Sequence, residues 1–141
     1  MLRRSLVLAS FAVVFAGAAS AATVRFHTAL TPAAEVPPSK STGSGEANAM
    51  LDTVTHELTY DVTFQGFASQ VTAAHIHGPA EAGKNAGVVV PLGNTPTSPI
   101  HGTVKLTPEQ EQQLTSGQWY VNVHSKNNPS GAIRGQLTQM K

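Results

Sequence analysis

Two closely spaced histidines are the residues of this chain best suited to chemistry. His75 and His77 lie in the run AHIHGP, separated by one residue. Alternate residues of a β-strand point to the same face, with Cα atoms about 6–7 Å apart, so two such imidazoles can converge on one ion. Gly78 and Pro79 follow at once and are typical of a strand end. The pattern therefore places the pair at the rim of a sheet.

A third histidine occupies a comparable position further along the chain. His124 closes the run YVNVH, in which Asn122 and His124 alternate with two valines, and a polar loop follows. If the two strand ends meet in the fold, three imidazoles share one rim. Such a site suits zinc, copper or nickel, whereas calcium and magnesium prefer oxygen ligands. The sequence thus predicts a metal site formed by His75, His77 and His124, with copper or zinc as the ion.

The same histidines have a purely structural alternative, since hydrogen-bonded imidazoles can also secure loops. The other histidines have no partner at close spacing. His27 and His101 are expected to be ordinary surface or structural residues, and His56 is expected to be solvated. Whether the three strand-end histidines bind a metal or only hold loops together is left open by spacing alone.

One arginine also stands out because charges are rare in this chain. Arg134 lies within an apolar strand pattern, and a buried guanidinium without a partner is costly. We expect a carboxylate or carbonyl partner, with a structural ion pair to Glu35 or Glu46 as the favoured arrangement. The alternative is that Arg134 attracts anions to the histidine site.

Composition and the lack of catalytic motifs exclude several classes of function. The 141 residues suit one domain, and 9 Lys and Arg against 8 Asp and Glu give no basic surface for nucleic acid. The chain has no Cys, so disulfides, thiol nucleophiles and thiolate metal sites are excluded. It also lacks a G-x-S-x-G serine and a phosphate-binding glycine loop. Binding is therefore expected rather than catalysis.

The first 22 residues predict a secretory signal peptide. A basic start is followed by an uncharged apolar run over 5–18 and by the small-residue site ASA at 19–21. A membrane anchor is the less favoured alternative, because a spanning helix needs about 20 apolar residues. We expect the mature chain, 23–141, to be periplasmic or secreted, without a membrane segment. The possible partners are then a metal ion and a protein.

Alternation with a period of two runs through most of the remaining sequence. In HELTYDVTFQ, at 56–65, apolar and polar residues alternate, as in a half-buried antiparallel strand. Gly, Pro, Ser and Asn separate the segments of this kind. The candidate strands are 23–30, 45–51, 56–65, 70–77, 87–92, 101–106, 118–124 and 132–138. Eight short strands predict an all-β domain, an antiparallel Greek-key-like β-sandwich or barrel.

One short helix interrupts this pattern. Thr107, Pro108 and Gln110 form a capping box with proline at the first helical position, and Gly117 is suited to end the helix. These signals predict a helix over 107–115. The segment 32–45 is rich in Pro and Ser and is expected to be a loop within the same domain.

Four segments in order carry a resemblance to a known family: LTPAAEVPP at 30–38, AAHIHGPA at 73–80, WYVNVHS at 119–125 and NPSGAIRGQL at 128–137. Together they resemble the CHRD domain, named for its repeats in chordin and common in exported bacterial proteins. The resemblance runs from Val24 to Leu137, which assigns 23–141 to one CHRD domain. This chain has Ala132 where the family usually carries Glu, and Ser125 where Thr is usual. The resemblance implies an all-β fold and leaves the function poorly defined.

The H-x-H pair also resembles the copper ligands of copper–zinc superoxide dismutase, though in one short motif and in fold class only. The leading hypothesis is an exported CHRD-domain protein that binds copper or zinc through the three histidines, without catalysis. The first alternative is a structural or protein-interaction module without metal. The second is a superoxide dismutase-like enzyme, which is less favoured because the sequence offers no bridging histidine and no separate set of zinc ligands.

Overall fold

The computed structural model describes residues 22–141. The predicted signal peptide therefore lies, apart from Ala22, outside the described residues. Within residues 22–141 no helix is both long enough and apolar enough to cross a membrane.

Strands dominate the described part of the chain, as the alternation predicts. Nine strands and one α-helix are found there, with a short 3₁₀ turn at Pro32–Ala34. In chain order the elements are β1 (Thr23–Leu30), β2 (Ser44–Asp52), β3 (Glu57–Gln65), β4 (Val71–His77), β5 (Val88–Asn94), β6 (Ile100–Lys105), α1 (Pro108–Thr115), β7 (Tyr120–Ser125), β8 (Asn128–Gln136) and β9 (Thr138–Gln139).

The strands form two antiparallel sheets with a shared core. The first sheet has the order β6-β3-β2-β1-β9, and the second has the order β5-β4-β7-β8. Apolar side chains from both sheets form one buried cluster between them, which includes Phe26, Leu51 and Leu58 of the first sheet and Ile76, Val123 and Ile133 of the second. This sandwich-like architecture confirms the predicted all-β fold class.

Alternation in the sequence corresponds to alternation in burial. In β3, Leu58 and Val62 are buried while Glu57, Thr59 and Thr63 are exposed. Burial of one face of each sheet fixes its register, because a slip of one residue would turn the apolar side chains outward. The same rule applies to β4, where it places the histidines on the face opposite the core.

The helix begins and ends where the capping signals predict. The Thr107 hydroxyl accepts a hydrogen bond from the Gln110 backbone N–H, and the Gln110 side chain accepts one from the Thr107 N–H. Leu114 is the buried residue of the helix, and Gly117 adopts a φ of 73°, which favours glycine after a helix end.

The observed strands differ from the predicted ones mainly at the end of the chain. All eight predicted strands are present, but β8 begins at Asn128 rather than at residue 132. Its first residues, NPSG, have loop-like chemistry, yet they continue the hairpin from β7, in which Ser125 pairs with Asn128. A ninth strand, two residues long, pairs with β1 through Phe26 and His27. This ninth strand exists only because it pairs with a strand distant in the sequence, so no local sequence pattern predicts it.

Candidate metal centre

Pairing of β4 with β7 brings the three predicted ligands together. In the register of this pair, His75 lies opposite Asn122, His77 opposite Tyr120, and His124 opposite Ala73. The side chains of these alternate residues share the face of the sheet that points away from the core. The expectation that the two strand ends meet is wrong, because the strands are antiparallel: the end of β4 at His77 lies opposite the start of β7 at Tyr120. The three rings come together across the outer face of the paired strands instead.

The sheet is irregular where the histidines lie. The ladder between β4 and β5 shifts register between Ala74 and His75 and again between Ile76 and His77. Pro91 of β5 lies opposite His75 and has no N–H to donate, which edge strands tolerate. Ala74 and Ile76 remain fully buried, so the core anchors the strand while its outer face is distorted. Bulges of this kind often re-aim side chains at functional sites.

The three imidazoles form a compact group. One ring nitrogen from each of His75, His77 and His124 can be chosen so that all lie within 4.8 Å of one another. The ring centroids of His75 and His124 are 4.9 Å apart, and those of His75 and His77 are 5.4 Å apart. Nδ1 of His75 lies 3.1 Å from Nε2 of His124. The group is therefore small enough to surround one ion with little movement.

Backbone carbonyl groups orient two of the rings. Nδ1 of His124 lies 2.9 Å from the Pro129 oxygen, and Nδ1 of His77 lies 2.9 Å from the Ala86 oxygen. A carbonyl oxygen only accepts hydrogen bonds, so each Nδ1 carries the hydrogen and the neutral ring keeps its lone pair on Nε2. This is how metal-binding histidines are commonly held, with one nitrogen tied to the protein and the other free to ligate.

Burial also keeps two of the rings in the neutral form. Desolvation lowers the pKa of His75, and the neighbouring His124 and His77 lower it further. Desolvation likewise lowers the pKa of His124, against a hydrogen bond to Pro129 that raises it. Neutral imidazole is the form that binds metals. The environment thus favours the ligating state of both side chains.

Tyr120 and Arg134 form a stack behind His77. The rings of His77 and Tyr120 are parallel within 3°, with centroids 4.8 Å apart. The guanidinium carbon of Arg134 lies 3.5 Å from the centroid of the Tyr120 ring, in cation–π geometry. The Tyr120 hydroxyl also accepts a hydrogen bond of 3.0 Å from the Ala86 N–H. The stack restricts the plane of the His77 ring.

The expected ion pair of Arg134 is wrong in its partners. Arg134 is 1% exposed, and its guanidinium donates to the side-chain oxygen of Asn85 at 3.0 Å and to the Lys84 carbonyl at 2.7 Å. No direct salt bridge with Glu35 is found within residues 22–141, although the two charges interact. Glu46 is an exposed residue of the other sheet. A loop carbonyl and an amide oxygen accept hydrogen bonds from the guanidinium instead, so the expected carbonyl partner is found and the carboxylate partner is not.

Asn122 and Glu35 belong to the site but were not predicted as part of it. Asn122 is 3% exposed, and its side-chain oxygen lies 2.9 Å from Nε2 of His77. Glu35 is 6% exposed and hydrogen-bonds to the Asn122 side chain. Burial raises the pKa of Glu35 to about 7, against the opposing effects of Arg134 and Asn122. The position of Asn122 two residues before His124 was the one available signal, since it shares that face of the strand.

The remaining histidines lie elsewhere. His27 contacts the side-chain oxygen of Asn48, and His101 pairs with Asp61 with a side chain that is 67% exposed. Both fit the expected surface or structural role. His56 is less solvated than expected: its Nδ1 lies 2.7 Å from a carboxylate oxygen of Glu111, and its side chain is 43% exposed.

Comparison with known proteins gives one match. A family model described as the CHRD domain matches residues 26–137, which is most of the described chain. No curated protein and no solved structure was found to match. Within residues 22–141, His75, His77 and His124 form the one group of three or more histidines and carboxylates placed to hold a metal ion.

Proposed function

The chain belongs to the CHRD domain family, and from that premise we propose that it binds one transition-metal ion, copper or zinc, through His75, His77 and His124. The observation that carries this proposal is the convergence of one nitrogen from each imidazole within 4.8 Å. Three histidines suit both ions, and neither needs a thiolate. The role is that of a metal-binding module rather than an enzyme.

Two features of the surroundings support this proposal. Nδ1 of His77 and Nδ1 of His124 each donate a hydrogen bond to a backbone oxygen. The lone pair on Nε2 of each ring is therefore available to a metal ion. Burial lowers the pKa of His75 and of His124, so both rings stay neutral at pH 7. A metal ion would find ligands that are already oriented and deprotonated.

Metal analysis and titration of protein purified without a histidine tag test the proposal. We expect one Cu(II) or Zn(II) per chain, with strongly weakened binding in His75→Ala, His77→Ala and His124→Ala. His27→Ala is the matched control, because His27 lies on the other sheet and contacts Asn48. Equal losses in all four variants, or wild-type affinity no better than about 1 mM, which is about −4 kcal/mol, would refute a specific site.

A structural or protein-interaction role is the second candidate, and one observation favours it. The three histidines bond to one another and to the backbone at Ala86 and Pro129, so they also link the sheet to neighbouring segments. In that case the alanine variants would lower the free energy of unfolding of metal-free protein, while wild type would bind no metal. A superoxide dismutase-like activity is separated from metal binding by assaying superoxide turnover of the loaded protein.

We further propose that the protein is exported to the periplasm or secreted after loss of its first residues. The support is the pattern of residues 1–22 and the start of β1 at Thr23, which leaves every described strand intact after cleavage. The Ala22 carbonyl accepts hydrogen bonds from the N–H and the hydroxyl of Thr53, so cleavage before Ala22 would keep these bonds and cleavage after it would remove them. Intact mass of the exported protein tests this: a mass that includes Met1 would refute it.

A further inference from the structure

We infer that the side-chain oxygen of Asn122 is a fourth ligand, which completes a site of three nitrogens and one oxygen suited to Cu(II). This inference rests on the proposed three-histidine site. Its basis is the distance of 2.9 Å between Oδ1 of Asn122 and Nε2 of His77. Asn122 lies on β7 opposite His75, so its side chain is on the face of the sheet that carries the three rings.

The contact between Asn122 and His77 joins two acceptor atoms. Nδ1 of His77 faces the Ala86 carbonyl at 2.9 Å and must donate to it. In the neutral ring, the form that ligates metals, Nε2 therefore carries a lone pair. That lone pair faces the amide oxygen of Asn122 with no hydrogen between them. A cation bound by both atoms would turn this repulsive contact into an attractive one.

Glu35 determines which end of the Asn122 amide faces the histidines. The Asn122 side chain hydrogen-bonds to the carboxyl group of Glu35. Whether or not it is ionised, Glu35 keeps an unprotonated carboxyl oxygen that accepts hydrogen bonds, so the NH₂ end of the amide points to it. The oxygen is then left for His77. Glu35 thus acts as a positioning residue, although it lies outside the ligand group.

Two of the separations between candidate donor atoms are close to those around a tetragonal ion. Two ligands about 2.0–2.1 Å from an ion lie about 2.9 Å apart at a right angle and about 3.4 Å apart at the tetrahedral angle. The observed separations are 2.9 Å for Nε2 of His77 and Oδ1 of Asn122, and 3.1 Å for Nδ1 of His75 and Nε2 of His124. Angles near 90° with nitrogen and oxygen donors are typical of Cu(II), whereas Zn(II) prefers a tetrahedral set.

Cu(II) titration against a competing chelator, with electron paramagnetic resonance of each bound form, tests this inference. Asn122→Leu removes the oxygen, and Asn122→Asp keeps an oxygen but adds charge. We expect Asn122→Leu to lose about 10-fold or more in Cu(II) affinity, and we expect both variants to change the tetragonal spectrum. Asn48→Leu is the matched control, because Asn48 is an exposed asparagine of the other sheet, bonded to His27.

The outcomes separate this inference from the proposed function. If wild type binds neither Cu(II) nor Zn(II), the three-histidine proposal itself fails. If wild type binds Cu(II) but Asn122→Leu has the same affinity and spectrum, the histidines form the site and Asn122 is not a ligand. Should Asn122→Leu fail to fold, the Asp variant decides, since an anionic ligand must shift the spectrum. An unchanged spectrum in that variant overturns the inference.

Discussion

Nδ1 of His75 lies 3.1 Å from Nε2 of His124, although 49 positions separate the two residues in the chain. Because Nδ1 of His124 donates to the Pro129 carbonyl, the neutral His124 ring accepts at Nε2, and in the metal-free protein Nδ1 of His75 donates to it. A metal bound by both nitrogens would replace this hydrogen, and the neutral His75 ring would then carry its hydrogen on Nε2. Protonation of His124 at Nε2 would remove this acceptor lone pair and place a cation beside His75. The hydrogen bond described here therefore requires a neutral His124 ring, and neutral imidazole is also the form that binds a metal.

Metal binding should persist at lower pH than for an unperturbed histidine, whose pKa is about 6.5. The pKa values of His75 and His124 are both lowered, chiefly by desolvation, so both rings remain neutral ligands as the pH falls through 6.5. Affinity should then fall only below that pH, as protons begin to compete. Cu(II) competition titrations between pH 7.5 and 4.5 measure this. The prediction is contradicted if the loss of Cu(II) affinity is already half complete at or above pH 6.5.

Binding of the metal should stabilise the fold, because the ligands are brought together only in the native state. A ligand that binds only the native state adds about 2.7 kcal/mol to the free energy of unfolding at a hundredfold excess over Kd. Urea unfolding with and without Cu(II) measures the gain, which His75→Ala should abolish and His27→Ala should keep. An equal gain in both variants would show that the ion binds elsewhere.

Glu35→Gln should remove a pH dependence of stability from the metal-free protein. Burial raises the pKa of Glu35 from its ordinary value of 4.5 to about 7, so the folded state holds the proton more tightly than the unfolded state does. Glu35 therefore contributes stability while protonated, and this is lost as the pH rises from about 4.5 through 7. The difference between the folded and unfolded pKa values corresponds to about 3 kcal/mol of stability, at 1.36 kcal/mol per pH unit.

Urea unfolding of wild type and Glu35→Gln at pH 5 and pH 8 isolates this effect. The lowered pKa values of His75 and His124 act in the opposite direction, because they make stability rise with pH up to about 6.5. Both proteins carry these histidines, so their contribution cancels in the difference. Wild type should lose more stability than the variant between the two pH values. Parallel changes would mean that Glu35 titrates normally.

Gly78→Ala should destabilise the protein and disturb the neighbouring ligand His77. A Cβ atom at Gly78 would clash with the indole ring of Trp119, which is fully buried. Overpacking of this kind typically costs about 1–3 kcal/mol. Gly87→Ala is the control, since a Cβ there meets nothing within 4 Å. Urea unfolding of both variants checks the prediction, and equal stabilities would contradict it.

Local chemistry in the sequence determined the elements that carry the site. The alternation of apolar and polar residues placed His75 and His77 on the outer face of one strand, because adjacent side chains of a strand point to opposite faces. Gly78 ended that strand, since β4 stops at His77. The capping box at Thr107 fixed the start of the helix for the same local reason, a side chain that satisfies a free backbone N–H.

Tertiary structure alone decided which distant residues meet. The long-range register between β4 and β7 brings His124 and Asn122 beside the first two histidines, and burial of apolar side chains along both strands sets that register. Glu35 approaches Asn122 from a segment that precedes β2, and Arg134 binds loop oxygens at Lys84 and Asn85 rather than a carboxylate. Such contacts depend on the path of the whole chain through space, and no periodicity or spacing in the sequence records that path.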